Sequence, residues 1–153
     1  MVHIVWIEGQ MSEIKRLVIK RNQELYPDYQ WKIWTKENIT RERFPLSYDL
    51  LWNIYNIENR TRFAKRATMA DVLRHELLHS EGGFYMDTSM MLMRNVFDKW
   101  LSYKFVVSTE RVFRHRWAQS MCFFAAMPRF SGLLRIISHN NTNRYDIFLR
   151  DAL

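Results

Sequence analysis

One cysteine, three prolines and four glycines are all that this 153-residue chain contains of those types. A lone Cys122 excludes an internal disulfide, and its setting in Met121-Cys122-Phe123-Phe124 suits a buried thiol better than a reactive one. So few glycines and prolines cannot serve a sandwich or barrel of many short strands joined by tight hairpins, so helices are expected to carry much of the chain. No apolar run approaches the roughly 18 residues of a membrane span, and the opening Met1-Val2-His3-Ile4-Val5-Trp6 lacks the basic-then-apolar plan of a signal peptide. The expectation is a cytoplasmic protein without a transmembrane segment, a peripheral place at a membrane being left open.

What is present is apolar and basic. Hydrophobic residues make up 48% and aromatic residues 15%, which excludes a disordered or low-complexity chain, and the length suits a single domain over 1–153. Lys and Arg outnumber Asp and Glu by 23 to 16, a net charge of +7 that nucleic acid, anionic membrane or a phosphorylated substrate would each attract. The densest basic cluster, Arg60, Arg62, Lys65 and Arg66, is interrupted by Phe63 and Ala67 at helical spacing and reads as a solvated helix face, with an anion site as the alternative. No nucleic-acid partner is expected.

Residues 2–7 form a β-rich apolar run, and after Gly9 the segment 11–25 places Ile14, Leu17, Val18 and Leu25 at helical spacing. Pro27-Asp28 marks a turn, and 29–34 alternates as a second strand. Strand, helix and strand at this length suggest a βαβ unit, hence an α/β fold with a mostly parallel sheet flanked by helices. A short helix is expected at 46–57, and a longer one carries Phe63, Ala67, Ala70, Leu73 and Leu77 to a stop at Gly82-Gly83. Beyond it lie apolar segments at 84–93 and 105–108 around a helix at 96–101. Further β structure is expected at 117–127 and helices at 130–137 and 145–153.

Two motifs compete on the long helix. His75-Glu76-Leu77-Leu78-His79 matches the pattern in which two histidines one turn apart hold zinc while the glutamate activates a water, which makes a zinc metallohydrolase one reading. Gly82 stands where the extended pattern wants glycine, but position 85, where a third histidine ligand belongs, is Tyr85. The other motif joins Ala70-Asp71-Val72-Leu73-Arg74 to Gly82-Gly83-Phe84-Tyr85-Met86-Asp87-Thr88-Ser89. On a helix Asp71 and Arg74 lie about 60° apart and point together. In a strand, Asp87 and Ser89 project to the same side. Asp and Arg for hydroxyl groups, beside a carboxylate for a cation and a diphosphate, are what a phosphorylated sugar donor requires.

The combination resembles the DXD-type sugar-binding glycosyltransferases: glycosyltransferase family 32, the yeast-type initiating mannosyltransferases, the clostridial glucosylating toxins and capsular polysaccharide synthesis proteins. Their Ala/Ser-x-x-Asp-x-x-Arg and Gly-Gly-x-Tyr-x-Asp runs stand here at Thr68 to Arg74 and Gly82 to Asp87, and residues 2–7 and 26–34 look like the family's first two strands. The resemblance implies a GT-A type, Rossmann-like nucleotide-sugar-binding domain, small or truncated. The implied activity is retaining transfer of a hexose from a UDP- or GDP-sugar to a glycan or protein hydroxyl, as in polysaccharide biosynthesis. Catalytic roles fall to Asp87, Asp71 and Arg74, donor binding to Trp6, Tyr85 and Gly83, and Mn²⁺ or Mg²⁺ to Asp87 and Ser89. Ser89 stands where the usual motif has its second aspartate, and Leu153 comes earlier than the end of most relatives. A catalytically inactive sugar-nucleotide or glycan-binding module is the non-enzyme alternative.

Overall fold

A computed structural model describes residues 1–7, 9–56, 61–94, 97–113 and 116–142. The helix expected at 145–153 lies outside them. Among the described residues five strands make one sheet: β1 (Val2–Val5), β2 (Trp31–Trp34), β3 (Gly83–Met86), β4 (Phe105–Phe113) and β5 (Arg116–Ala126), in the order β2-β1-β3-β5-β4. The first three are parallel, with Val2 beside Trp31 and Phe84, whereas β5 runs antiparallel to β3 and to β4. The βαβ expectation thus describes the β2-β1-β3 half, and an antiparallel hairpin completes the sheet.

Helices cover both faces. α2 (Tyr48–Tyr55), α3 (Arg62–Glu81) and α5 (Ser131–Thr142) pack over Val5, Trp34, Tyr85 and Phe124. On the other face, α1 (Glu13–Leu25), the short α4 (Phe97–Trp100) and the segment 90–92 cover Val2, Ile4, Phe84, Met86 and Phe123. Residues two apart on a strand share a face, so the sheet sorts its side chains between two cores. His3, on the Val5 side of β1, is fully buried and acts as a clasp. Its Nε2 donates to the Gly82 carbonyl at 2.9 Å, and its Nδ1 accepts from Trp34 Nε1 at 3.1 Å. Burial pushes the His3 pKa down, against the Gly82 bond, which acts the other way.

Two expectations need correction. α1 forms where expected, but Ile14, Leu17 and Leu25 are exposed and its buried residues are Ile19 and Asn22. Four basic residues crowd the helix, and a polar amide can turn inward because partners await it there, as described below. The strand expected to carry both Asp87 and Ser89 ends at Met86, because Met90 N–H closes back on the Asp87 carbonyl at 3.0 Å and makes 87–90 a β-turn. The two-residue alternation that would set Ser89 beside Asp87 therefore does not apply.

Candidate active site

The α3–β3 corner sets the geometry. α3 begins at Thr61, whose hydroxyl accepts from Ala64 N–H, and stops at Gly82 and Gly83, with φ of 69° and 96°. Any side chain at Gly83 would meet the Met1 carbonyl oxygen at 2.5 Å, so glycine is required where the helix folds back into the strand. From Gly82 back to Arg74 the helix rises about 12 Å, and from Gly83 to Asp87 the strand advances about 13 Å. The spacing in the sequence thus brings Asp71, Arg74 and Asp87 to one level, at the carboxyl end of the parallel strands, where open α/β sheets bind ligands.

Four side chains meet there. Arg74 is 7% exposed, donates through Nη2 to Asp71 Oδ1, and sets Nη1 at 4.0 Å from Asp87 Oδ1. Its guanidinium lies 5.3 Å from the centroid of the Tyr85 ring, and the Tyr85 hydroxyl donates to Asp87 Oδ1 at 2.7 Å. Burial, and next the charge of Asp87, push the Tyr85 pKa far up, so the phenol stays protonated and holds the carboxylate by one oxygen. Asp87 N–H donates to the Cys122 carbonyl at 2.8 Å, which anchors the backbone as well. The Asp71 side chain is half exposed, yet desolvation raises its pKa against the opposing pull of Arg74.

The segment 12–106 matches the family described as "Glycosyltransferase sugar-binding region containing DXD motif". This chain belongs to that family. The match spans α1 to the start of β4 and includes the whole Asp71-Arg74-Tyr85-Asp87 cluster. The fold is similar to that of a solved structure titled "PaToxG Glycosyltransferase", with a TM-score of 0.60 over 90% of this chain at 16% identity. The chain spans 58% of the length of that protein. No curated protein sequence matches.

The other residues singled out in this family member are placed differently. Trp6 follows β1 at the same carboxyl edge, with its N–H on the Trp34 carbonyl, its indole donating to Gly9 O at 2.8 Å and the Lys15 ammonium 4.3 Å from its ring centroid. Ser89 is exposed in the turn after β3. Gly83 sits at the opposite end of β3 from Asp87, where its duty is the approach of the Met1 carbonyl. Tyr85 is 1% exposed and meets the site through its hydroxyl on Asp87 and its ring beside Arg74, so it positions those two groups rather than lining an open surface.

The zinc motif has other employment. Glu76 is buried and accepts from Leu46 N–H at 2.9 Å, Ser47 N–H at 3.0 Å and the Ser47 hydroxyl, tying the entry to α2 onto α3. It is not available to activate a water. His75 packs against the Phe124 ring, and His79 Nδ1 lies 3.4 Å from the Phe130 carbonyl. Among the described residues no three His, Cys, Asp or Glu side chains gather as a cation cage. The motif's spacing was legible, but nothing in it revealed that α2 would claim the carboxylate.

His75 makes a testable contribution to stability. Burial, reinforced by the Arg74 charge, lowers its pKa from 6.5 to about 4. The unfolded chain then binds the proton first, so stability is unaffected above pH 6.5 and falls as pH drops towards 4, by about 3 kcal/mol in all. Urea midpoints should fall between pH 7 and 5 in the wild type and less steeply in His75→Gln. Equal pH slopes in the two proteins would remove His75 as a cause.

Proposed function

We propose that this protein transfers a hexose from a UDP- or GDP-sugar to a glycan or protein hydroxyl, with retention of anomeric configuration. The observation that carries the reading is the convergence of Asp71, Arg74 and Tyr85-bound Asp87 at the carboxyl edge of the parallel strands. In it, Asp71 and Arg74 hold the sugar hydroxyls, the half-exposed carboxylate through an oxygen and the forked donor through an N–H. Trp6 offers a ring face to the base once Lys15 swings aside, and the freed ammonium is then placed to meet phosphate.

Asp87 keeps Oδ1 on Tyr85 and has Oδ2 for a ligand. One fixed carboxylate oxygen and the Ser89 hydroxyl make a thin donor set, which suits Mn²⁺ or Mg²⁺ arriving with the diphosphate rather than a resident metal. When bound, such a cation neutralises the charge that develops on the departing diphosphate. In the transfer, the bond from the anomeric carbon to the diphosphate oxygen breaks and the acceptor oxygen bonds to the same face of that carbon. The acceptor proton passes to the leaving phosphate. Among the described residues no helix is long and apolar enough to cross a membrane.

Thermal unfolding in the presence of nucleotides tests the reading. UDP or GDP with Mn²⁺ should raise the melting temperature more than the sum of either component alone, as expected of ligands that bind the folded state together. A melting temperature indifferent to every nucleoside diphosphate, with and without Mn²⁺, would overturn it.

A further inference from the structure

We infer that Asn22, on α1, is a positioning residue for the Asp87–Ser89 turn, and so for metal-diphosphate binding; this rests on the nucleotide-sugar reading above. Asn22 is 1% exposed and distant in sequence from the site. Its Nδ2 donates to the Met90 carbonyl at 2.8 Å, and its Oδ1 accepts from Leu92 N–H at 2.9 Å. One side-chain amide thus takes both backbone groups of the segment that leaves the turn, as a neighbouring strand would. Four residues after Asn22, the Tyr26 hydroxyl donates to the Arg94 carbonyl and holds the same segment farther along.

Residues 87–90 are therefore fixed at both ends. Asp87 N–H is held by Cys122 of β5, the turn closes from Met90 N–H to the Asp87 carbonyl, and Met90 O is held by Asn22. Thr88 and Ser89 lie between these anchors, and in the nucleotide-sugar reading Ser89 is the residue that would offer a cation its second protein oxygen. Among the described residues no β-strand pairs with 90–92, so the placement of Ser89 relative to Asp87 depends on the amide. The two bonds also assign the amide's orientation, because only Nδ2 can donate to a carbonyl and only Oδ1 can accept from an N–H.

Asn22→Asp keeps the shape and the bond from Leu92 but sets a carboxylate oxygen against the Met90 carbonyl, which pushes the end of the turn away. The test titrates Mn²⁺–UDP, Mn²⁺–GDP and the free nucleosides uridine and guanosine into the wild type, Asn22→Asp and Ile19→Ala, following tryptophan fluorescence. Ile19 is buried on the same helix and touches the same core, so its truncation reports instability alone. Asn22→Asp should bind the metal-nucleotide complex about tenfold more weakly, the usual scale for removing a group that orients a metal ligand, with nucleoside affinity unchanged. Ile19→Ala should match the wild type for both.

If the wild type binds neither metal-nucleotide complex, the nucleotide-sugar reading falls and this inference with it. If the wild type binds and Asn22→Asp binds equally tightly, or loses no more than Ile19→Ala, only the inference falls. Should Asn22→Asp fail to fold, Tyr26→Phe keeps the ring in the core and frees the far end of the segment. A loss of about threefold in metal-nucleotide affinity supports the inference, and unchanged affinity overturns it.

Discussion

Asp87→Asn should lower transfer at least about a hundredfold, the scale on which removal of one transition-state contact is felt, while changing stability by less than about 1 kcal/mol. The asparagine keeps a carbonyl oxygen for the Tyr85 hydroxyl and leaves the backbone bond to Cys122 untouched, so the local structure survives. It loses the negative charge that balances a cation and Arg74 at the same edge of the sheet. Turnover of the donor found by thermal unfolding, measured with the melting temperature of the same preparation, separates the two effects. Asp71→Asn should alter discrimination between sugars more than nucleotide affinity, since its neighbour is Arg74 and not the turn. Full turnover in both variants would show that the carboxylates are not the reacting site.

The second large effect concerns a residue outside the chemistry. Glu76→Gln should destabilise the fold by about 3 kcal/mol, because three donors converge on a buried carboxylate and an amide replaces one accepting oxygen with a group that itself donates. For a domain of this size that is a fall of about 10 °C in melting temperature. Calorimetry reads it directly. A variant as stable as the wild type but stripped of a zinc-dependent hydrolytic activity would restore the metallohydrolase reading that the structure argues against.

The residues legible in the sequence were those whose spacing is local. The Asp71, Arg74, Gly82, Gly83 and Asp87 series encodes a helix, a reversal and a strand of matched rise, so its convergence follows from helix and strand geometry alone. The order of elements from β1 to β3 was readable for the same reason. Partners far along the chain were not. Nothing at position 22 announces Met90 and Leu92, nothing in His75-Glu76-x-x-His79 announces Leu46 and Ser47, and His3 gives no hint of Trp34 and Gly82. Buried polar side chains are satisfied by tertiary contacts, and a periodicity argument treats them as exceptions to a stripe. This is why α1 was expected to bury Ile14 and Leu17 and instead buries Asn22.

The sheet order also dictates how the chain must assemble. β3 lies between β1, which precedes it by some eighty residues, and β5, which follows it by about thirty, so neither neighbour is local in sequence. While a ribosome has released only the chain up to β3, that strand is an open edge bearing Phe84 and Met86 with one row of backbone groups unpaired. Such an edge invites pairing with another nascent chain. Arg116–Ala126 covers it, and the same strand supplies the carbonyl that holds Asp87, so a single pairing both hides the edge and anchors the candidate site.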